Sequence, residues 1–118
     1  WIGFGVAVDF HNAIGTEAIE ARGATMAEYL KTRLARIPGV AVLTPMNRRL
    51  SASMVSFGIG GMTSGDIGGA LMQRYSIATR GLHEGGYHGT RVSCAIHNTY
   101  EELDRLLEAV AEITRNRV

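Results

Sequence analysis

Residues 90–107 of the chain, TRVSCAIHNTYEELDRLL, decide the fold. Within this stretch apolar side chains at every second position alternate with Arg91, Ser93 and Ala95, and this period of two predicts a strand over residues 90–96 with one core face and one open face. The core-facing side chains are Val92, Cys94 and Ile96. Thr99 and Glu102 then form a capping box, and apolar residues at helical spacing predict a closing helix. A strand that leads directly into an amphipathic helix favours a layer of helices packed on a sheet.

The rest of the chain predicts three more helices and three more strands. The helices are expected within residues 1–14, 16–37 and 63–75, and the strands at residues 40–43, 54–57 and 77–80. Thr16 is the candidate cap of the second helix, and Thr63 with Asp66 forms a capping box ahead of the third. The glycine-rich residues 81–89 are expected to form a mobile loop. We therefore predict an α+β fold, a two-layer sandwich in which helices pack on one face of a small, largely antiparallel sheet.

Composition excludes several classes of function. The chain has 118 residues, of which 12 are Lys or Arg and 11 are Asp or Glu, and its net charge is +1 without a basic block. Nucleic acid is therefore not an expected partner. The longest apolar run, near residues 1–8, is too short to cross a membrane. Cys94 is the single cysteine and no signal peptide is recognisable, so a reducing cytoplasm is the expected compartment.

Arg91 is the leading candidate for a functional residue. Strand alternation places it on the open face of the sheet together with Ser93 and His97. A guanidinium group can hold a carboxylate or a phosphate in two parallel hydrogen bonds. The pattern also allows a surface arginine paired with a neighbouring carboxylate, and exposed arginines of that kind are common. Spacing by itself favours the second interpretation.

The segment from Arg91 to Asp104 resembles a signature near the end of class V aminotransferases, which are pyridoxal-phosphate enzymes of fold type I. The family has arginine, a small residue and serine, then tyrosine, asparagine and threonine, then a run of acidic residues. The corresponding residues here are Arg91-Val-Ser93, His97-Asn-Thr99 and Glu101-Glu-Leu-Asp104. Upstream, the resemblance extends over residues 9–15, 34–45, 53–57 and 77–80. The subfamilies of this family include the cysteine desulfurases and the isopenicillin-N-epimerase-like proteins, and the sequence resembles the second group best.

The resemblance implies that the chain, which starts at Trp1 without a methionine, is a piece of a larger enzyme. Residues 16–118 would be its small C-terminal domain, and residues 1–15 would be a helix that bridges to a missing large domain. The complete enzyme would bind pyridoxal phosphate and act on an amino acid as a homodimer. This chain alone is expected to bind no cofactor, because its one lysine, Lys31, is predicted to lie on the solvated side of a helix.

The resemblance also assigns substrate-binding residues. Arg91 would bind the α-carboxylate of the amino acid and so fix which bond reacts at the cofactor. Arg80 would either join Arg91 near the substrate or stand as an edge-strand charge, and His97 takes the place of the family's tyrosine. Asn98 and Thr99 would support the site by making the turn that sets the strand against the final helix, and Ser93 is a further supporting residue. For Asn98 and Thr99 a plain helix cap is the alternative role.

Several alternatives are weighed beside this interpretation. The reaction could be of the epimerase, lyase or aminotransferase type, and a stand-alone binding or interaction module is the alternative function. Desulfurase chemistry is disfavoured because residues 81–89 hold no cysteine and Cys94 faces the core. A metal site is disfavoured because the candidate ligands have no tight ligand spacing; they are His83, His88 and His97. Residues 58–61 predict a turn and not a nucleotide-binding loop.

Overall fold

The computed structural model of the chain describes residues 1–117. Over that range the α-helices are α1 (Ile2–Ile14), α2 (Thr16–Leu34), α3 (Ser64–Tyr75) and α4 (Tyr100–Arg115). The β-strands of the same range are β1 (Val40–Val42), β2 (Met54–Ile59), β3 (Arg80–Leu82) and β4 (Gly89–Ser93). The order of helices and strands along the chain is the one that the sequence predicts.

The strands form one antiparallel sheet in the order β1-β2-β4-β3. In its central pair, Val55 of β2 lies opposite Val92 of β4, and Ser56 lies opposite Arg91. Neighbouring residues of a strand point to opposite faces of the sheet. Because Val55 is fully buried, it marks the inner face, and Arg91 consequently lies on the outer face.

Helices α2 and α3 pack on the inner face of the sheet, and α4 packs against both helices. The side chains that they bury include Met26, Leu30 and Leu34 of α2, Ile67 and Leu71 of α3, and Leu103, Leu106, Val110 and Ile113 of α4. This arrangement confirms the predicted α+β sandwich with helices on one face. Cys94 belongs to the same core, and burial raises the pKa of its thiol.

Side-chain caps begin α3 and α4 as the sequence predicts. The Thr99 hydroxyl accepts a hydrogen bond from the Glu102 backbone N–H at 3.3 Å, and the Glu102 carboxylate accepts one from the Thr99 N–H at 3.1 Å. The capping box of Thr63 at the start of α3 has the same form. The prediction that Thr16 caps α2 is wrong. Gly15, whose φ is 98°, separates α1 from α2, and Thr16 already lies within the helix.

The third strand begins later than predicted. After α3 ends, Ser76 adopts a left-handed conformation with a φ of 56°. This conformation turns the Ile77 N–H back onto the Leu71 carbonyl oxygen at 3.1 Å, so Ile77 closes the helix and does not enter the sheet. As a result β3 starts at Arg80 and takes in two residues of the predicted loop 81–89.

The fourth strand ends earlier than predicted, at Ser93. The Ala95 N–H donates to the side-chain Oδ1 of Asn98 at 2.8 Å, so a side chain takes the place of a partner strand. The chain then turns at Ile96 and His97 before α4 begins.

None of the described helices is both long enough and apolar enough to span a membrane.

Candidate functional site

A cleft of about 560 Å³ opens beside the end of β4, beyond its pairing with β3. That volume is in the range of pockets that bind small molecules. The cleft lies between the end of β4, the segment from Ser76 to Arg80 and the first turns of α4. The register of β3 reaches only to Arg91, so the next two residues of β4 border the cleft instead of another strand. Its polar lining consists of Ser76, Thr79, Arg80, Arg91, Ser93, Asn98, Glu102 and Arg105.

Two arginines stand side by side in the wall of this cleft. Arg80 of β3 is the direct cross-strand partner of Arg91 of β4, and side chains in such a position share one face with Cβ atoms about 5 Å apart. Like charges placed directly opposite each other destabilise a sheet. An anion bound between them would remove that repulsion and gain charge-assisted hydrogen bonds. The pair therefore forms a candidate site for a carboxylate or a phosphate.

The guanidinium group of Arg91 contains a buried nitrogen without a hydrogen-bond partner among the described residues. The Arg91 side chain is half-buried, and its Nε has no hydrogen-bond partner among residues 1–117. A buried N–H without an acceptor costs about 1–3 kcal/mol, so such groups are uncommon in folded proteins. The hydroxyl of Thr79, which lines the same cleft, is likewise buried and unpaired within the described part of the chain. Sequence reasoning missed Thr79, because nothing in its spacing separates it from an ordinary strand threonine.

Asn98 and Glu102 form the floor of the cleft at the start of α4. The Asn98 side chain accepts a hydrogen bond from the Ala95 N–H and donates one to the Glu102 carboxylate, both at 2.8 Å. The hydrogen bond from Asn98, followed by that from the Thr99 backbone, lowers the pKa of Glu102. Glu102 is therefore ionised at neutral pH and committed to the helix cap. Thr99 is the N-cap residue of α4. It therefore has the plain helix-capping role that its position in the sequence allows as the alternative to a supporting role in the site.

The structure does not place His97 on the strand that carries Arg91 and Ser93. Strand alternation predicts His97 on the face of Arg91, but β4 ends at Ser93 and His97 lies exposed in the following turn. Among the described residues His97 is not part of the cleft lining, so the predicted juxtaposition with Arg91 is wrong. Ser93 does lie on the outer face and borders the cleft.

Lys31 is buried, which contradicts the prediction that it lies in solvent. Its side chain is only 2% exposed. The ammonium group donates hydrogen bonds to the Pro45 carbonyl oxygen and the Ser51 hydroxyl, both at 2.8 Å. Both acceptors belong to the loop between β1 and β2, whose approach to α2 cannot be read from the helix pattern. Lys31 therefore ties this loop to α2, away from the cleft.

Two other motifs are the glycine-rich turn near residue 60 and the histidines considered as metal ligands. Of the predicted turn at residues 58–61, residues 58 and 59 belong to β2, and only Gly60 and Gly61 form the turn. This turn presents carbonyl oxygens to Arg117, which donates hydrogen bonds to the carbonyls of Gly60 and Gly61. A phosphate would need the reverse polarity. In residues 1–117 no three side chains of the His, Cys, Asp and Glu type are placed to share a metal ion.

The sequence profile of the family described as Aminotransferase class-V matches residues 1–106. A cysteine desulfurase of Dickeya dadantii is 30% identical over 123 residues, and an isopenicillin N epimerase of Streptomyces clavuligerus is 29% identical over 115 residues. Each match covers 97% of this chain but only 29% of the relative.

A solved structure shows the same arrangement of helices and strands. The apo cysteine desulfurase of Thermococcus onnurineus NA1 superimposes with a TM-score of 0.88 at 25% identity. The match covers 98% of this chain and 30% of that one. The chain thus spans less than a third of the length of the relatives that it matches.

Proposed function

This chain belongs to the class-V aminotransferase family, and we propose that it is the substrate-binding small domain of a pyridoxal-phosphate-dependent enzyme that acts on an amino acid. Residues 16–118 form that domain in this proposal, and residues 1–15 bridge to a large domain. The relatives support it, since each is more than three times as long as the part that matches. The reaction would be of the epimerase, lyase or aminotransferase type.

In this proposal Arg91 binds the α-carboxylate of the amino acid. The observation that carries the assignment is the buried Nε of Arg91 in the cleft wall, which has no hydrogen-bond partner among residues 1–117. A carboxylate there would accept two parallel hydrogen bonds from the guanidinium group. Arg80, opposite Arg91 in the sheet, adds a second positive charge that attracts the same anion. The test is the replacement of Arg91 by lysine, which should reduce kcat/KM for amino acids while amines without the carboxylate are unaffected.

The residues of this chain do not fit a covalently bound pyridoxal phosphate. Such enzymes hold the cofactor on a lysine, and the cofactor withdraws electrons from the substrate. Lys31 is the only lysine, and its ammonium group is buried and hydrogen-bonded to Pro45 and Ser51. In the proposal, the cofactor lysine and the phosphate-binding groups therefore belong to the large domain. The small domain binds and orients the substrate carboxylate.

The same residues argue against a desulfurase reaction that uses this chain for its nucleophile. Residues 81–89 contain no cysteine. Cys94 is 2% exposed, and its thiol has a raised pKa because it is buried. A thiol of this kind is a poor nucleophile, since the thiolate is the reactive form.

Trapping with borohydride tests the cofactor assignment. We expect that the 118-residue chain, mixed with pyridoxal phosphate and reduced, shows no stoichiometric adduct on Lys31 by intact mass and peptide mapping. The reason is that the amine would have to leave two hydrogen bonds and a buried position. Lys31→Arg is the matched control, because any adduct common to both chains must be on the N-terminal amine. An adduct at Lys31 that also confers activity would overturn the assignment.

The apolar side of α1 predicts that the chain self-associates when it is studied alone. Ile2, Val6 and Phe10 are 88%, 63% and 59% exposed, and every residue of α1 is exposed. Apolar surface of this extent is usually covered by a partner. In the complete enzyme we propose that the large domain covers it, and in the isolated chain a second copy would do so in a two-fold pair.

Light scattering of the isolated chain measures this association. We expect a dimer that dissociates when Val6 and Phe10 are both replaced by serine. The control replaces two polar residues of the same helix, His11 and Asn12, and should remain dimeric. A monomer that persists at high concentration in the unmodified chain counts against the pairing.

A further inference from the structure

Arg22, on α2, makes two long-range contacts that the proposed carboxylate site does not yet explain. Its Nε donates to the Ile96 carbonyl oxygen at 3.2 Å, and its terminal Nη2 donates to the Asn98 carbonyl oxygen at 2.8 Å. The acceptors are 74 and 76 residues further along the chain. Both belong to the turn from Cys94 to Thr99, which joins β4 to α4. One exposed side chain thus fastens the turn that follows the Arg91 strand.

Gly23, the next residue of α2, brings the helix close enough for these contacts. Gly23 is buried, and a Cβ atom there would lie 2.8 Å from Ser53 Cβ and 3.7 Å from the Cys94 carbonyl oxygen. Ser53 and Cys94 are themselves joined, since the Cys94 N–H donates to the Ser53 carbonyl oxygen at 2.7 Å. Helix α2 therefore touches the sheet at the point where the pairing of β2 with β4 ends. At this separation the Arg22 side chain reaches the carbonyls of the turn.

Hydrogen bonds of Asn98, a residue of the turn itself, also stabilise the turn. The Asn98 side chain joins the Ala95 N–H to the Glu102 carboxylate, and the Asn98 N–H donates to the Ala95 carbonyl oxygen at 3.0 Å. Asn98 and Glu102 line the cleft together with Arg91. The carbonyl that Arg22 binds most closely, at 2.8 Å, is that of the same Asn98. A shift of the turn would thus move the floor of the cleft relative to Arg91.

We propose that Arg22 is a positioning residue. It fixes the Cys94–Thr99 turn, and through Asn98 and the end of β4 it keeps Arg91 in the position at which it binds the substrate carboxylate. This inference rests on the proposed role of Arg91. The two carbonyls are two residues apart, so they match the forked donors of a guanidinium group. A lysine has one donor centre and can serve only one of them well. The side chain acts through the turn and does not touch the substrate.

The first measurement is amide hydrogen exchange in the 118-residue chain. Arg22→Ala should speed exchange at Ala95 and Asn98, because their hydrogen bonds close the turn. Arg36→Ala is the matched control. It removes the same charge from an exposed arginine just beyond α2, and the Arg36 side chain makes no hydrogen bond with the described residues. Unchanged exchange in Arg22→Ala would overturn the proposal without affecting the assignment of Arg91.

The second measurement is kinetic and uses the complete enzyme. A misplaced carboxylate site binds the amino acid less tightly and orients it less well, so Arg22→Ala should raise KM for the amino acid about tenfold and lower kcat as well. Arg22→Lys should give a smaller rise, and Arg36→Ala none. An amine without the α-carboxylate should show no rise in KM with any of them. Partial unfolding would instead lower kcat at constant KM, and that result would overturn the proposal.

Arg91→Lys, measured in parallel, separates the two ideas. If Arg91→Lys raises the amino-acid KM and Arg22→Ala does not, positioning fails while the proposed function stands. If Arg91→Lys has no effect, both fail. Should Arg22→Ala not fold, Arg22→Lys carries the same test, because it keeps the charge and one hydrogen bond.

Discussion

In the complete enzyme, Arg91→Lys should lower kcat/KM for the amino-acid substrate by about tenfold to a hundredfold. Lysine keeps the positive charge but loses the planar pair of donors that fits a carboxylate. A hydrogen bond to a charged group contributes about 1.5–3 kcal/mol, and the loss of one of two accounts for that range. Steady-state kinetics with the amino acid and with the corresponding amine measure the effect. The amine lacks the carboxylate and should react at an unchanged rate.

The same substitution should leave the thermal stability of the domain nearly unchanged. Arg91 lies on the outer face of β4, and its Nε is a buried donor without an acceptor in residues 1–117, so its removal breaks no hydrogen bond at that atom. If Arg91→Lys instead lowers the melting temperature strongly and leaves amino-acid turnover untouched, Arg91 has a structural role. The carboxylate assignment would then have to be withdrawn.

Local patterns predicted the parts of the site that depend on neighbouring residues in the chain. Alternation placed Arg91 and Ser93 on the outer face, because the pleat of a strand is fixed residue by residue. The capping box at Thr99 and Glu102 could be predicted for the same reason, since all its partners lie within four residues. For these features the three-dimensional context adds little.

Other features depended on contacts that sequence spacing does not contain. Alternation continues to residue 97, but the Asn98 side chain pairs with Ala95 and ends the strand, so His97 leaves the face of Arg91. The apolar residues after Ser76 look like a strand, yet the left-handed Ser76 directs Ile77 onto the end of α3. In both cases a single residue outside the pattern decides where a strand stops or starts.

Lys31 shows why burial of a charged residue is hard to foresee. It follows the core residue Leu30, and the helix pattern predicts that it lies on the polar, solvated side of the helix. Its acceptors, Pro45 and Ser51, are 14 and 20 residues away in a loop that the sequence does not position. A lysine stem can lie along apolar surface while its ammonium group finds acceptors, so partial burial alone would not be unusual. Here the loop closes over the ammonium group as well.

The substitution Val55→Asp should unfold the domain, whereas Met54→Asp should be tolerated. The two residues are neighbours in β2 but point to opposite faces: Val55 is 0% exposed and Met54 is 46% exposed. A carboxylate at position 55 would lie in the apolar core opposite Val92, and an unpaired buried charge costs several kcal/mol. That cost is comparable with the whole stability of a small domain, about 5–15 kcal/mol. At position 54 the carboxylate would stay hydrated, and a change of about 0.5 kcal/mol is expected.

Thermal melting followed by circular dichroism at several pH values distinguishes the two positions. Burial favours the neutral acid, so in any folded molecules of Val55→Asp the pKa of the introduced carboxyl group would be raised above its unfolded value. Protonation then stabilises the folded state. The loss of unfolding free energy in Val55→Asp should therefore shrink as the pH falls through the raised folded pKa towards the unfolded pKa, and it should change no further below the unfolded pKa. Met54→Asp should show no such recovery. If both variants lose the cooperative transition, or neither does, the two faces of β2 are assigned wrongly, and with them the outward direction of Arg91, which is set by its pairing with Ser56.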